Sequence, residues 1–146
     1  MGLYFEQFEV GQQFKTDRRR VTREMILAFA DLTGDHNPLH TDVELMRSAP
    51  AGDVLAHGLL IQSLSVGLIA DLGIMTGTTI ALLEASCRFL NPVIPGDEVH
   101  AVVTIASKRE TSKPDRGVVI RKVEVLNQRD EVAVDSTLVS LMRRRP

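Results

Sequence analysis

The central stretch of the chain reads Leu59-Leu60-Ile61-Gln62-Ser63-Leu64-Ser65-Val66-Gly67-Leu68-Ile69-Ala70-Asp71-Leu72. Only small or mildly polar residues interrupt its apolar character, so a helix built from it has no clearly polar side. A helix of that kind is typical of a protein core. About 15 residues correspond to roughly 22 Å of helix, which is long enough to cross a small domain. The stretch therefore predicts a central buried helix around which the rest of the chain folds.

The chain beyond this stretch has the pattern of β-strands. Residues 78–90 are rich in β-formers, and apolar residues alternate along 99–105, 118–125 and 132–140. The links between these segments are short and carry Pro, Gly, Asn and Asp, which favour hairpins. Consecutive strands with short links predict an antiparallel meander. We expect an α+β fold, with a long antiparallel sheet wrapped around the central helix, as a single domain over residues 1–146.

The first third of the chain predicts smaller elements. Residues 1–21 predict one or two edge strands. Thr22 fits a helix N-cap, apolar residues then recur at three- and four-residue spacing, and Gly34 fits a C-terminal glycine. A further short helix is expected over residues 42–49.

An ionisable pair follows the first helix directly, in the stretch Gly34-Asp35-His36-Asn37-Pro38-Leu39-His40. Five helical steps would place Asp35 and His40 about 140° apart, and Pro38 disfavours a helical residue before it. The composition indicates instead a rigid turn that aims both side chains at one point. Asn37 is expected to tie this turn by hydrogen bonds from its side chain to the backbone. On local grounds the pair fits either acid–base chemistry or a turn cap beside a surface imidazole.

The beginning of the central helix, Ala56-His57-Gly58, offers a second constellation. The first N–H groups of a helix lack internal partners and carry the positive end of its dipole. A glycine lets a ligand approach them, so the Gly58 amide suits a carbonyl oxygen that gains negative charge. The alternative is that Gly58 only permits close packing and that His57 caps a neighbouring group. For Ser63, further along the helix, the alternative is that a small polar residue only relieves crowding where the helix packs.

Metal binding is a weaker interpretation of the histidines. His36 and His40 are four residues apart, as in helical zinc sites. Pro38, however, breaks the helix that would bring the two imidazoles together, and no cysteine or third histidine is close in sequence. We therefore expect no metal site.

The composition excludes several classes of protein. A net charge of −2 over 146 residues, 4% aromatic residues and the absence of Trp argue against nucleic-acid binding. The single cysteine, Cys87, excludes an intrachain disulfide and fits a reducing compartment. The first residues lack the basic and apolar regions of a signal peptide, and the stretch Leu59–Met75 is too polar to span a bilayer. We expect a cytoplasmic protein without a nucleic-acid or membrane partner.

Three stretches, in this order and at this spacing, resemble the MaoC-like, or hydratase 2, branch of the hot dog fold. The segment Thr33–His40 follows a helix and matches the signature G-D-x-N-P-L-H. The segment His57–Leu64 matches the family's H-G-M-L with its following serine, and Phe89–Asp97 matches F-x-x-P-V-x-P-G-D. The likeness extends from about Phe8 to Met142.

The resemblance implies a hot dog fold that forms a homodimer or a higher homo-oligomer, with the site near the dimer interface. It also implies a lyase of fatty acid metabolism that hydrates trans-2-enoyl-CoA reversibly to (R)-3-hydroxyacyl-CoA. By resemblance, Asp35 and His40 share one water and the Gly58 amide holds the thioester oxygen. The substrate-binding or positioning residues that it implies are Asn37, His57 and Ser63. No cofactor is expected beyond the coenzyme A of the substrate.

Two positions depart from the family pattern. Val66 stands where many members have a second serine, and Met46 stands where a small residue is expected. Both departures concern the range of substrates more than the class of reaction. Two alternatives stay open: a hot dog thioesterase, in which the water attacks the thioester carbonyl, and a non-catalytic acyl-CoA-binding subunit. The presence of Asp35, His40 and Gly58 together argues against the second.

Overall fold

Four α-helices and six β-strands make up the fold. The structure is a computed structural model that describes residues 1–146. The helices are α1 (Arg23–Thr33), α2 (Pro38–Thr41), α3 (Val43–Met46) and α4 (Gly58–Asp71). The strands are β1 (Gln13–Lys15), β2 (Arg19–Arg20), β3 (Thr79–Phe89), β4 (Glu98–Glu110), β5 (Arg116–Leu126) and β6 (Val132–Arg143). The predicted central helix, the predicted helix between Thr22 and Gly34 and the predicted long C-terminal strands are confirmed.

The sheet is antiparallel throughout, in the order β1-β4-β5-β6-β3, and β2 pairs with the beginning of β4. The predicted meander is confirmed for β4, β5 and β6 but is wrong for β3, which pairs with β6 instead of β4. The link between β3 and β4 places one apolar side chain in the core. Val93 in this link is 3% exposed, and its carbonyl accepts a hydrogen bond from the Ala56 N–H at 2.8 Å. Pro92 and Pro95 lack the N–H groups that a direct β3–β4 ladder would need.

The main core lies between α4 and one face of the sheet. Leu60, Ile61 and Ile69 of α4 are 6% exposed or less, and they belong to one buried cluster with strand residues such as Val103 and Val123. Burying an aliphatic side chain of this size contributes about 1.5–3 kcal/mol. Burial of the apolar side chains of α4 against the inward-facing side chains of the strands thus holds the helix on the sheet.

The opposite face of α4 is not covered. Leu59 is 63% exposed and Val66 is 43% exposed, and Ser63 and Ala70 are exposed on the same side because residues three and four apart share a helix face. The prediction of a helix buried all round is therefore wrong for the single chain. The sheet covers α4 from one side only, and the open side lies next to the edge strand β3.

The helix ends follow their predicted caps. The Thr22 hydroxyl accepts the Met25 N–H at 3.2 Å, and Asp42 caps α3, which is shorter than the predicted helix over 42–49. The predicted turn around Pro38 is only half correct. Pro38 starts the single helical turn α2, a position where its missing N–H costs nothing, and Asn37 is the N-cap.

None of the helices has the length and apolar character that crossing a bilayer requires. The assignment of residues 1–146 to one domain stays a prediction.

Candidate active site

The end of α1 fixes where Asp35 lies. Gly34 has the left-handed conformation, with φ of 81°, and its N–H donates to the Ala30 carbonyl at 2.8 Å. This conformation suits glycine because a side chain would be strained there. The Thr33 hydroxyl then accepts the Asp35 N–H at 3.2 Å. The chain therefore leaves α1 at a defined angle, with the Asp35 side chain 52% exposed.

Asn37 ties Asp35 to α2. Its side-chain oxygen accepts the Leu39 N–H at 3.0 Å, and its own N–H donates to the Asp35 carboxylate at 3.3 Å. The hydrogen bond predicted from the Asn37 side chain to the backbone is thus present. The two contacts join the end of α1 to the beginning of α2, which carries His40.

His40 is held by the backbone of a distant segment. Its Nδ1 lies 2.6 Å from the Leu55 carbonyl, and the Leu55 N–H donates to the Leu39 carbonyl at 3.0 Å. Since a carbonyl oxygen only accepts, this hydrogen bond places a proton on Nδ1. In the neutral imidazole, Nε2 is then an unprotonated acceptor. The His40 side chain is 10% exposed, so Leu55 fixes both its orientation and its tautomer.

His57 packs directly on His40. The two rings are stacked with centroids 3.7 Å apart, and Phe29 meets His57 edge-on at 4.9 Å. His57 Nε2 lies 3.1 Å from the Asp35 carbonyl and therefore donates to it. His57 Nδ1 is buried without a partner. The ring thus joins the beginning of α4 to both Asp35 and His40.

The Asp35 carboxylate and His40 Nε2 face each other without direct contact. Asp35 Oδ2 lies 3.7 Å from His40 Nε2 and 4.0 Å from His57 Nε2. The first distance exceeds a hydrogen bond, and both atoms are acceptors when His40 is neutral. A water molecule has two O–H donors and bridges two acceptors at such separations. Asp35 Oδ2 and His40 Nε2 therefore present two hydrogen-bond acceptors to the same small space.

Gly58 is the first residue of α4, so its N–H has no partner within the helix. The N-cap residue, His57, makes no side-chain hydrogen bond to the first turn. A Cβ at Gly58 would lie 2.6 Å from the ring of Phe89, so a larger residue here would have to displace that ring. Close packing at Gly58 is thus present, and it leaves the Gly58 N–H facing the space beside His40; whether packing is the only role of Gly58 stays open.

Two adjoining cavities open at this cluster. The smaller, of ≈ 220 Å³, we call the histidine cavity; it is lined by Phe29, Thr33, Asp35, His40, His57 and Gly58. The larger, of ≈ 400 Å³, we call the apolar cavity. It shares His40, Gly58 and Leu59 with the first, and apolar side chains, Phe89 and Val134 among them, line most of the rest. The two cavities together place an apolar chamber beside the Asp35–His40 pair.

Other residues singled out in the sequence lie apart from the cluster. Ser63 is exposed and donates to the Leu59 carbonyl at 2.7 Å, and it lines neither cavity. Val66 lies on the open face of α4, and Met46 is 8% exposed on α3. His36 is exposed and lies 3.4 Å from Asp31. The proposed roles of Asn37, His57 and Ser63 stay predictions.

The ligand atoms of Asp35, His40 and His57 lie within 4.8 Å of one another. The sequence alone did not indicate this set, because His57 is 17 residues from His40. His57 Nε2 already donates to the Asp35 carbonyl, so only the carboxylate and His40 Nε2 offer lone pairs. Two ligands are fewer than the three or four that protein zinc sites use. The donor set therefore does not fit a zinc site.

A family model described as the MaoC like domain matches residues 5–128. The chain belongs to the MaoC-like domain family. An (R)-specific enoyl-CoA hydratase of Aeromonas caviae is 31% identical over 134 residues, which cover 92% of this chain and 95% of that protein. Protein MaoC of Klebsiella aerogenes is 34% identical over 113 residues, 77% of this chain. The matched part is only 33% of the length of Protein MaoC.

Solved structures share the fold of this MaoC-like chain. A structure titled as a monoamine oxidase regulatory protein from Archaeoglobus fulgidus superposes with a TM-score of 0.91 at 35% identity, and the match covers 99% of this chain and 97% of that one. A Mycobacterium tuberculosis protein with a double hot dog fold superposes with a TM-score of 0.87 at 20% identity, over 99% of this chain and 45% of that one. The predicted hot dog fold is therefore confirmed.

Proposed function

We propose that this protein adds water reversibly across the double bond of trans-2-enoyl-CoA, giving (R)-3-hydroxyacyl-CoA. The observation that carries the proposal is the 3.7 Å separation of Asp35 Oδ2 and His40 Nε2, beside the Gly58 amide. A carboxylate and an imidazole of fixed tautomer are the groups that general acid–base catalysis uses. The 31% identity with the Aeromonas caviae hydratase over most of both chains supports the same reaction.

Asp35 and His40 would move one proton from water to the substrate. The bound water donates a hydrogen to each acceptor, and its oxygen attacks the β-carbon of the enoyl group. One of the two side chains takes a proton from the water, and the pair returns a proton to the α-carbon. Hydroxyl and hydrogen are thereby added across the double bond, and both side chains end in their starting protonation states. The reaction involves no change of oxidation state that requires a redox cofactor, and dehydration is the reverse path.

The Gly58 amide would stabilise the charge that develops during this attack. Addition at the β-carbon sends electrons to the thioester oxygen, which becomes enolate-like. A preorganised donor at that atom is worth about 3–4 kcal/mol. Gly58 lines both cavities, as does His40, so the donor and the acid–base pair share one substrate. The apolar cavity offers the acyl group an environment that excludes water.

We also propose that the chain forms a dimer through its open face. The edge strand β3 exposes apolar side chains, Ile80, Leu82, Leu83 and Phe89. An unpaired edge of this kind is a template for another strand. It lies next to the open face of α4, where Leu59 and Val66 are exposed. Sedimentation is expected to show a dimer, and Leu83→Lys, which puts a charge on this edge, is expected to yield monomers.

Crotonyl-CoA tests the proposed reaction. The absorbance of its conjugated double bond is expected to fall on addition of the protein and to stop at an equilibrium. The product is expected to be (R)-3-hydroxybutyryl-CoA. Release of free thiol from saturated acyl-CoA, without hydration of crotonyl-CoA, would instead identify a thioesterase. Tight binding of acyl-CoA with neither activity would identify a binding subunit.

A further inference from the structure

A third cavity, of ≈ 260 Å³, lies at the other end of α4 and contains a buried guanidinium. Its walls come from the second half of α4, the beginning of β3 and the neighbouring strands. Most of the lining is apolar, with Val66, Ile69, Leu82 and Leu138 contributing. Arg121 of β5 also lines it and is 5% exposed. We call this the arginine cavity.

Arg121 occupies an inward position of an apolar strand. Val119 and Val123, its neighbours on the same face, are fully buried. An arginine at such a position gives up its hydration, and this requires compensation by paired hydrogen bonds or an opposite charge. Desolvation lowers the pKa of Arg121 to about 10, which leaves the side chain charged at neutral pH.

The protein supplies little of that compensation. One terminal nitrogen of Arg121 donates to the Met75 sulfur at 3.0 Å, and another donates to the Ser140 hydroxyl at 2.8 Å. Nε is buried without a partner. No carboxylate of the chain lies within 4 Å of the guanidinium. Arg121 is thus a buried cation without an ion-pair partner in this chain.

The arginine cavity and the apolar cavity are lined by the same two elements. α4 contributes Gly58 to the apolar cavity and Val66 to the arginine cavity, and β6 contributes Val134 and Leu138 in the same order. Eight helical residues advance about 12 Å, and four strand residues advance about 13 Å. A chain that is extended covers about 1.2 Å per bond. Roughly ten bonds therefore separate a thioester held at Gly58 from the arginine cavity.

We propose that the arginine cavity binds the far end of the acyl chain and that this end is a carboxylate. The preferred substrates would then be enoyl-CoA thioesters of medium-chain dicarboxylic acids, with the free carboxylate paired to Arg121. Guanidinium and carboxylate match in charge and in planar geometry. The mostly apolar lining of the arginine cavity itself suits the methylene groups next to that carboxylate. This inference rests on the proposed acyl-CoA reaction and adds a substrate class to it.

Binding of saturated acyl-CoA tests the inference separately from the reaction. Saturated thioesters have no double bond to hydrate, so titration calorimetry compares a dicarboxylic monothioester with the methyl-ended thioester of the same length. The wild-type protein is expected to bind the carboxylated ligand about 10- to 100-fold more tightly, the range of a charge-assisted hydrogen bond. Arg121→Met is expected to remove or reverse this ratio. Arg109→Met, which replaces an exposed arginine of the neighbouring strand, is the matched control and is expected to keep it.

Several outcomes would overturn the inference. A wild-type ratio of one or less contradicts it even if Arg121→Met does not fold, and Ser140→Ala, expected to lower the ratio, is a milder second variant. An unchanged ratio in folded Arg121→Met, together with loss of the dimer, would show that a carboxylate of the partner subunit pairs with Arg121. Hydration of crotonyl-CoA without any carboxylate preference would contradict this inference alone. A carboxylate preference in a protein that hydrates no enoyl-CoA would contradict only the proposed reaction.

Discussion

The buried polar groups at the two ends of α4 differ in how completely the chain provides their partners. At the first end, His40 and His57 each have one ring nitrogen bound to a backbone carbonyl, and the nearby carboxylate of Asp35 is half exposed. At the other end, the charged Arg121 is 5% exposed and contacts only a thioether and a hydroxyl. At the first end, each buried imidazole thus has a hydrogen-bond partner within the chain. At the second end, the buried charge of Arg121 has no ion-pair partner in the chain.

The largest expected effect is at the first end. Asp35→Asn keeps the shape of the side chain but removes the carboxylate that would accept a proton from water. The turnover of crotonyl-CoA is expected to fall about 10²- to 10⁴-fold. Asp31→Asn is the matched control, since Asp31 also faces a histidine, His36, at 3.4 Å, but on the exposed surface. Equal losses in the two variants would refute the assignment.

The next largest effect is expected from the loss of the hydrogen bond by which His57 positions Asp35. His57→Phe keeps an aromatic ring between Phe29 and His40 but removes the hydrogen bond to the Asp35 carbonyl. A lost hydrogen bond of about 1–1.5 kcal/mol corresponds to roughly a tenfold fall in turnover. The Michaelis constant is expected to change less, because the contact positions Asp35 rather than the substrate. His57→Gln restores a donor and is expected to recover part of the turnover; no difference between the two variants would argue against a positioning role.

At the second end, removal of the Arg121 charge is expected to raise the stability of the protein. Arg121→Met replaces a buried unpaired cation with an apolar side chain of similar length. The free energy of unfolding in urea is expected to rise by about 1–3 kcal/mol. Arg144→Met is the contrasting control, because Arg144 is partly exposed and paired with Glu6 and Glu110. Its loss is expected to lower stability slightly, and destabilisation by Arg121→Met would show that Arg121 already has a compensating partner.

The smallest expected effect is the pH dependence of the stability that the Glu6–Arg144 ion pair contributes. Hydrogen bonding to Arg144 lowers the pKa of Glu6 below its ordinary value. A carboxylate whose pKa is lower in the folded state contributes stability above its unfolded pKa and loses it as the pH falls through the folded value. The wild-type protein is therefore expected to lose slightly more stability below pH 4.5 than Glu6→Gln. Parallel acid titrations of the two proteins would contradict this pairing.

The sequence predicted where the helices and strands lie better than it predicted which of them pack side by side. Alternation along β3 to β6 identified strands, but a period of two indicates which face is buried and not which strand lies beside which. The position of β3 beside β6 depends on the link through Val93, whose burial no local pattern indicates. Similarly, a helix that is apolar on all sides does not show which side the sheet leaves open. The open face of α4 followed only from the assembled structure.

The candidate site was predictable to a similar degree. Gly34, Asn37 and Pro38 specify the local geometry of Asp35 and His40, so the turn chemistry pointed to the pair before the fold was known. The stacking of His57 on His40 was not predictable, because the intervening segment brings them together through the Leu55 backbone. Burial of Arg121 was implicit in its position between the apolar residues of β5. Its lack of a counter-charge depends on every neighbouring element and needed the structure.

The central claim is that Asp35 and His40 act on one shared water, and a double-mutant cycle tests it most directly. The initial rate of crotonyl-CoA hydration is measured for Asp35→Asn, His40→Gln and the double variant, with folding checked by circular dichroism. Residues that act as a unit are strongly non-additive. The double variant is therefore expected to be about as slow as the slower single variant. Losses that multiply would show that the two side chains act independently and would contradict the shared water.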